Sequence, residues 1–459
     1  MTAHKLPIEY NTNSPIGVVS VDAYNFLLID KLFDDFRIFT PVQQNWLKDV
    51  PIQGSLTSLN ATKLVKKGEE AVSKLVASKK FTDMFKADPR RKFIMYSPLD
   101  PPYRINPLAY LMNSPTIAHA YENKRYFRDE FAGLIRMPEY EIKYMNELDR
   151  AASYRNLRER FDGPFVLQDE ESSGSKGTHA IHDEDDYVEA IKNLKRFSRG
   201  RTIVASKFVH GEVSSVQVCI TKYGIFSGGI QRQLVDSKYL CDPKMAGATK
   251  WCGGEVGDEY PDIVQHQAQE IATIVGSELA SHGYKGIFGI DIIVTPENEV
   301  YAIEINARLT GYSHLISDLQ MMEGKIPFIL LHILELGNFK YEVTDLEALP
   351  SMSRYKKPGS LMIINNPLDE PFVLKQYIKP GIYRHEGDKL VFVKEGFSLK
   401  GLKDDMVMVF CRYNQGDTIE PGRRVVKLMK LGKTLAKGDL NLKARQIVEA
   451  AKATFELPQ

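Results

Sequence analysis

The stretch from Gly286 to Gly311, GIFGIDIIVTPENEVYAIEINARLTG, constrains the fold more than any other part of the chain. Two apolar runs are separated by a short polar connection, PEN, of the length typical of a β-hairpin. Asp291 lies in the first run, and Glu304 and Asn306 occupy alternate positions in the second. Because alternate side chains of a strand point to the same face, the pattern predicts three oxygen donors gathered on one side of a hairpin.

Two carboxylates and an amide oxygen form a donor set that suits Mg²⁺, which takes hard oxygen ligands and keeps waters or substrate phosphates in its other positions. Asp291, Glu304 and Asn306 are therefore the candidate metal ligands. Arg308 faces the same side and suits a transferring phosphoryl group or a substrate carboxylate. The alternative is a hairpin whose acids face water, but the apolar neighbours of Glu304 make an unpaired carboxylate costly there.

The length and the charge balance of the chain, together with the sequence signals that it lacks, narrow the classes of protein to consider. A length of 459 residues suggests about three domains. The 60 Lys and Arg balance 59 Asp and Glu, which argues against nucleic acid or membrane as a partner. No secretory signal, no bilayer-length apolar run and no metal-ligand pairing of the four cysteines is found in the sequence. We therefore expect a cytoplasmic protein.

Residues 1–115 are predicted to form an N-terminal α/β domain. Short apolar runs at Ile16 to Val21, Phe36 to Phe39 and Phe93 to Tyr96 alternate with a helical pattern at Ala61 to Ser78. That alternation is typical of a small parallel sheet with crossover helices.

Residues 116–345 carry nearly all the chemical signals and are predicted to form the second domain. Residues 346–459 are predicted to form a small mixed β-rich domain that ends in a helix at Leu442 to Phe455. The expected fold class is thus α/β and α+β, in several domains.

The order and spacing of Asp291, Glu304, Asn306 and Arg308 resemble the D…ExNxR signature of the ATP-grasp superfamily, and they are nearest to its biotin-carboxylase-like branch of amino-acid and peptide ligases. The resemblance implies an ATP-grasp fold with a nucleotide-binding subdomain at residues 125–210. It also implies ATP and Mg²⁺, or Mn²⁺, as cofactors. Asp291, Glu304 and Asn306 would bind the metal, and Arg308 would act in catalysis by stabilising an acyl phosphate.

A loop rich in Ser and Gly follows the apolar strand that begins at Phe165. Small residues let backbone amides approach phosphate oxygens, although such a loop is more often a surface turn. Its place ahead of the acidic hairpin resembles the phosphate-covering loop of ATP-grasp enzymes. Gln168 stands where the family usually has a lysine, so this position supplies a hydrogen bond but no positive charge. The residues assigned here are Gln168, Ser173, Gly174, Ser175 and Gly177 for ATP binding and Lys176 for catalysis.

The stretch TIVASKFVHGEV resembles the hinge between the two ATP-grasp subdomains. In that family the backbone at Lys207, Phe208 and Val209 would pair with the adenine edge, and Glu212 would accept hydrogen bonds from the ribose. Ser206 replaces the acidic residue that is usual at the start of this hinge.

Two further cations complete the predicted site. Lys124 matches a nucleotide-binding lysine near the start of a helix, with a solvated helix lysine as the alternative. Arg232 would be a catalytic contact to a phosphate or a substrate carboxylate, with an exposed strand arginine as the alternative. The region from Asp236 to Gly257 is either a substrate loop or a surface excursion.

The resemblance implies an ATP-dependent carboxylate–amine ligase that forms an amide or peptide bond through an acyl phosphate and releases ADP and phosphate. Biotin carboxylation is disfavoured, because the glutamate expected four positions after the signature arginine is Tyr312. A small-molecule kinase and an inactive nucleotide-binding module are the alternatives. The expected substrates are a small carboxylate and an amine, at least one of them an amino acid or short peptide. A homodimer is compatible with the resemblance, while the oligomeric state and the substrates stay open.

Overall fold

The structure is a computed structural model that describes residues 6–41, 44–45, 57–58, 68–100, 105–149, 152–172, 177–198, 200–242, 250–257 and 260–458. None of the helices within these ranges combines the length and the apolar composition that a bilayer crossing requires.

The N-terminal part contains a five-stranded parallel sheet, which confirms the predicted α/β character. Its central strands are buried because they consist almost wholly of apolar residues, such as Val18, Ile38 and Ile94. The predicted helix at Ala61 to Ser78 is present from Gly68, and residues 61–67 lie outside the described ranges. In chain order the elements are β1 (Ile8–Asn11), β2 (Ile16–Val19), 3₁₀ helices at Ala23–Phe26 and Ile29–Leu32, β3 (Phe36–Thr40), β4 (Thr57–Ser58), α1 (Gly68–Val76), α2 (Lys79–Ala87), β5 (Lys92–Met95), a 3₁₀ helix at Pro107–Ala109 and β6 (Tyr110–Leu111), and the sheet order is β4-β3-β2-β5-β6.

A small antiparallel sheet flanked by helices follows. Asn123 separates the first two helices, because its backbone is extended and its side chain accepts a hydrogen bond from the Tyr126 N–H. Lys124 is consequently the first residue of a helix. The elements are α3 (Pro115–Glu122), α4 (Lys124–Phe131), β7 (Tyr140–Tyr144), α5 (Met145–Leu148), α6 (Ser153–Arg160), β8 (Phe165–Asp169), β9 (Thr178–Ile181), α7 (Glu184–Phe197) and β10 (Thr202–Lys207), and the sheet order is β7-β10-β8-β9.

A ten-stranded sheet begins in the middle of the chain. The longest helix covers one face of it, through Val264, Ala268 and Val275, which pack in one cluster with Ile290 and Ile292. The side chains that alternate with these isoleucines point to the other face. The elements are β11 (Glu212–Thr221), β12 (Gly224–Val235), β13 (Trp251–Val256), α8 (Asp262–Ser281), β14 (Gly286–Val294), β15 (Val300–Asn306), α9 (Ser313–Met322), α10 (Phe328–Leu336), β16 (Lys340–Val343) and a 3₁₀ helix at Leu346–Ser353.

Five of the C-terminal strands continue this sheet, since β13 pairs with the first of them, and the other four form two separate two-stranded sheets. The ten-stranded sheet therefore crosses the predicted domain boundary at residues 345 and 346, and the division into domains stays a prediction. The predicted C-terminal helix is present. The elements are β17 (Gly359–Asn365), β18 (Phe372–Val373), β19 (Gly381–Glu386), β20 (Lys389–Lys394), β21 (Met406–Cys411), β22 (Thr418–Ile419), β23 (Arg424–Leu431), β24 (Leu435–Ala436), β25 (Asp439–Leu440) and α11 (Leu442–Thr454), and the sheet order is β15-β14-β11-β12-β13-β17-β23-β21-β19-β20.

Candidate functional site

The hairpin of β14 and β15 brings the three predicted metal ligands together. Asp291 and Glu304 are direct cross-strand partners. The side-chain amide of Asn306 donates to Asp291 Oδ2 over 3.1 Å. The three side chains therefore lie on one face of the sheet, opposite the face that α8 covers.

The two carboxylates of this cluster influence each other's ionisation. Burial, and then the charge of Glu304, raise the pKa of Asp291 to about 7. Burial also raises the pKa of Glu304, but Lys124 and the hydrogen bond with Asp291 lower it by more, so it lies below its ordinary value. Two adjacent acids resist being ionised together, and a nearby cation relieves that repulsion. No group of three or more His, Cys, Asp or Glu suited to a metal occurs in the described ranges, so this candidate consists of two carboxylates and an amide.

Lys124 links the hairpin to the start of the Ser- and Gly-rich loop. Its Nζ lies 3.3 Å from Glu304 Oε2 and donates to the Ser172 carbonyl over 2.7 Å. The Lys124 side chain is only 5% exposed, which excludes the alternative of a solvated helix lysine. Its backbone N–H donates to the Glu170 carbonyl, so both ends of the residue are fixed.

Arg308 extends the network away from the hairpin. Its Nη2 donates to Asn306 Oδ1 over 2.9 Å, and its Nη1 contacts the carboxylate of Glu122 at the end of α3. The Asn306 oxygen, which is the atom expected to bind metal, is thus engaged by Arg308 in this arrangement. A metal ligand role for Asn306 requires its amide to rotate or Arg308 to move.

Polar side chains that the sequence reasoning missed continue the same face across β11 and β12. Gln233 Nε2 donates to Asp291 Oδ1 over 3.0 Å, and Ser215 Oγ donates to Gln231 Oε1 over 3.0 Å. Gln217, two residues after Ser215, is fully buried. The signal in the sequence is the alternation of these polar residues within apolar strands, which gives them one common face.

Arg232 pairs with the predicted ribose acceptor instead of with the acidic hairpin residues. Its Nε lies 2.7 Å from Glu212 Oε2, and its Nη1 lies 3.6 Å from Glu255 Oε1, a carboxylate with no exposed surface. The guanidinium also lies 5.2 Å from the centre of the Tyr260 ring, and the Tyr260 hydroxyl donates to Glu212. Glu212 therefore already has a cation and a hydroxyl as partners.

The predicted hinge connects β10 with β11. The N–H groups of Lys207 and Phe208 donate to the carbonyls of Glu139 and Pro164, over 2.8 and 3.1 Å. Within the described ranges these two N–H groups are used by the protein, which leaves the Val209 N–H and the carbonyls of the segment for an adenine edge. Ser206, which replaces an acid, is buried.

The described ends of the Ser- and Gly-rich loop lie next to Lys124. Gln168 is buried, and its Nε2 donates to Thr178 Oγ1 over 3.4 Å. A Cβ on Gly177 would come within 2.6 Å of the Ser172 Cβ, so the close return of the chain requires glycine there. The other predicted residues of the loop lie outside the described ranges; they are Ser173, Gly174, Ser175 and Lys176.

Comparisons with known proteins agree with this geometry. Residues 121–312 match the protein family described as the ATP-grasp domain, a segment that contains α4, the hinge and the acidic hairpin. A comparison with curated protein sequences gave no significant match.

Solved structures of ATP-grasp ligases share the fold over nearly the whole chain. A biotin carboxylase from Campylobacter jejuni superposes with a TM-score of 0.61 at 12% identity, covering 97% of this chain and 96% of that one. An L-amino acid ligase from Bacillus licheniformis gives 0.57 at 15% identity, with coverages of 93% and 94%. A phosphoribosylamine–glycine ligase from Thermotoga maritima gives 0.55 at 14% identity, with coverages of 95% and 96%. Residues 121–312 of the chain thus match an ATP-grasp domain, and the chain as a whole shares the fold of these solved ligases.

Proposed function

We propose that the protein is an ATP-dependent carboxylate–amine ligase that forms an amide or peptide bond and releases ADP and phosphate. The observation that carries the proposal is the position of Lys124, whose Nζ contacts both Glu304 and the Ser172 carbonyl. The acidic hairpin and the loop that would cover the phosphates meet at this side chain. A triphosphate placed there would have a metal site on one side and backbone amides on the other.

ATP and Mg²⁺ are the proposed cofactors, with Mn²⁺ as an alternative metal. Asp291 and Glu304 fit such an ion, because their hard oxygens are held side by side and their mutual repulsion is relieved by a cation. When bound, the metal ion supplies charge neutralisation for phosphoryl transfer. The solved relatives support this choice, since one of them is a 2-oxoglutarate carboxylase domain in complex with MgADP.

Side chains of the protein would bind the phosphates, the substrate carboxylate and the ribose. Lys124 would orient the phosphates, and the Ser- and Gly-rich loop with Lys176 would close over them and exclude water. Arg308 would hold the substrate carboxylate and then the acyl phosphate, because a guanidinium pairs with both groups in bidentate geometry. Glu212, held by Arg232, would accept from the ribose.

Amide formation is favoured over carboxylation by the surroundings of Tyr312. Its hydroxyl donates to the carbonyls of Arg232 and Gly253, over 3.1 and 2.8 Å, and burial raises its pKa. Tyr312 therefore fills the position of the bicarbonate-activating glutamate with a buried structural group. The likeness to an L-amino acid ligase supports an amino acid on at least one side.

Product analysis tests the proposal. Amino acids and small carboxylates are screened in pairs for ADP release, and the products are identified by mass spectrometry. Ligation predicts ADP and phosphate only when a carboxylate and an amine are both present, together with an amide product. A stable phosphorylated product would identify a kinase instead, and no turnover with any pair would identify a binding module.

A pair of variants controls the screen. Glu304→Ala should abolish turnover while the fold is retained, because it removes a proposed metal ligand. Glu297→Ala changes an exposed acid in the turn of the same hairpin and should retain turnover. Activity retained in Glu304→Ala would contradict the assignment of the hairpin.

A further inference from the structure

A cluster of basic side chains lies where the first strand of the parallel sheet meets the C-terminal strands. Arg412 Nη1 is 3.2 Å from Asp22 Oδ1, just beyond the carboxyl end of β2. Arg424 and Lys427, both on β23, also act on this carboxylate. Burial raises the pKa of Asp22, but the three positive charges lower it by more, so it lies below its ordinary value. One carboxylate therefore lies near three positively charged side chains.

The single negative charge of Asp22 is outnumbered by the three positive charges of the cluster. Lys427 is 6% exposed, and its Nζ donates to the neutral Asn25 side chain over 2.9 Å. Within the described ranges neither Arg424 nor Lys427 forms an ion pair within 4.0 Å. Burial lowers the pKa of Lys427 to about 7; the charge of Asp22 raises it in part, and the charge of Arg424 lowers it further. A buried cation without an ion-pair partner of its own is costly, and a bound anion would supply a second negative charge.

Trp251 lies between this cluster and the candidate active site. The guanidinium of Arg424 is 5.2 Å from the Trp251 ring centre, and Trp251 also packs edge-on against Tyr312, with ring centres 5.3 Å apart. A Cβ on Gly311 would lie 2.4 Å from the Trp251 ring. Gly311 follows Arg308 by three residues, so only one aromatic side chain separates Arg424 from the segment that carries the signature arginine.

The ion pair between Arg412 and Asp22 has a structural role as well, since it joins the parallel sheet to the ten-stranded sheet. Arg424 is not needed for that link, because it is exposed and stacks on Trp251. An ion pair that only joined the two sheets would need one cation, whereas three act on Asp22.

We propose that Arg412, Arg424 and Lys427 bind a terminal anionic group, a carboxylate or a phosphate, of the substrate whose other end reacts beside Arg308. The substrate is then a dicarboxylic or phosphorylated molecule, and its length spans Trp251. Guanidinium groups suit both anions because they donate two parallel hydrogen bonds. The assignment of the anion to a substrate rests on the proposed ligase function, whereas anion binding by the cluster does not.

Calorimetric titration of the full-length protein with inorganic phosphate, and separately with glutarate, tests the proposal without ATP. Ionic strength is held constant with chloride. We expect saturable binding that Arg424→Gln and Lys427→Gln each weaken by about tenfold or more, the loss expected for a charge-assisted contact. Arg384→Gln removes a charge from the far end of the same sheet and should leave the affinity unchanged.

Asp22→Asn distinguishes a loss of anion binding from damage to the fold, because a damaged fold cannot increase the affinity for the anion. The substitution removes the one acid in the cluster, so it should tighten anion binding, whereas damage to the fold would weaken anion binding after any of these changes. Tighter binding of phosphate would assign a phosphorylated substrate, and tighter binding of glutarate a dicarboxylic one. The proposal is overturned if neither anion binds saturably, or if Arg424→Gln binds as Arg384→Gln does. Failure of the ligase function would show instead in the product screen, as the absence of an amide product with every pair of carboxylate and amine.

Discussion

At the scale of single residues, the buried position of Lys124 removes one of two sequence interpretations, and the nucleotide contact stays a prediction. The sequence allowed either a nucleotide contact or a solvated helix lysine. The structure places its ammonium between Glu304 and the Ser172 carbonyl, in a site where water has little access. An ammonium in such surroundings contributes more to anion binding than one in water, because the local dielectric constant is lower.

Lys124→Met should therefore weaken ATP binding by about tenfold or more, since a charge-assisted contact is lost while the apolar stem is kept. Equilibrium titration with ATP and Mg²⁺ measures the effect. The matched control is Lys195→Met in α7. This change removes a surface ion pair between Lys195 and Asp149 and should change the affinity for ATP little. Equal ATP affinities of Lys124→Met and the unchanged protein would contradict the assigned role.

Asp318 gives a prediction on stability and pH. Burial raises its pKa to about 6, against an ordinary value of 3.8, although the Leu399 N–H and Ser398 hydroxyl donate to it and lower the pKa in part. A raised folded-state pKa means that this group stabilises the fold fully below pH 3.8 and loses that contribution as the pH rises through about 6. The loss should be of the order of 1–3 kcal/mol.

Urea unfolding between pH 4 and pH 7 measures this contribution. Asp318→Asn should flatten the fall in unfolding midpoint over that range, because the side chain no longer ionises. Asp388→Asn, at an exposed position in the turn of β19 and β20, should keep the slope of the unchanged protein. Identical pH profiles for the two variants would show that Asp318 does not ionise in this way.

The sequence could predict contacts between residues close together in the chain but not contacts between distant ones. The alternation of Asp291, Glu304 and Asn306 is local, and the structure shows the expected common face. The partners Gln233 and Glu122 were missed, because they lie 58 and 186 residues from the groups that they contact. Such contacts depend on the order of strands in the sheet, which side-chain periodicity does not specify.

At the scale of elements, the pairing of β12, β13 and β17 joins the acidic hairpin's sheet to the C-terminal strands. Gly254 makes this possible with a φ of +148°, and a Cβ there would lie 2.0 Å from the Arg232 carbonyl oxygen. The sequence predicted a β-rich region at residues 346–459, and its assignment to a separate domain stays a prediction. The continuation of the larger sheet by strands of this region is a long-range pairing that strand patterns cannot reveal.

Gly254→Ala should consequently destabilise the protein strongly, because it combines an unfavourable backbone conformation with a clash in the middle of the sheet. Gly387→Ala is the matched control, since Gly387 has a φ of +65° and open space around it. We expect the first change to cost at least about 2 kcal/mol more than the second in the free energy of unfolding. Chemical denaturation checks this, and equal losses would contradict the close approach at Gly254.

At the scale of the whole molecule, Lys124 connects the acidic hairpin of the ten-stranded sheet with Ser172, which follows β8 of the four-stranded sheet. The sequence predicted the common face of the hairpin side chains, because these residues are local to one hairpin. The basic cluster at Asp22 was not predicted, since it combines β2 with strands about 390 residues later, as the separation of Asp22 and Arg412 shows.

The central claim is that Asp291 and Glu304 hold a divalent metal against the phosphates of ATP. Binding of Mn²⁺ with a non-hydrolysable ATP analogue, followed by electron paramagnetic resonance, tests it most directly. The account predicts that the unchanged protein and Glu297→Gln bind the Mn²⁺–nucleotide pair alike, and that Glu304→Gln binds it at least about tenfold more weakly. Equal binding by Glu304→Gln and the unchanged protein would contradict the claim.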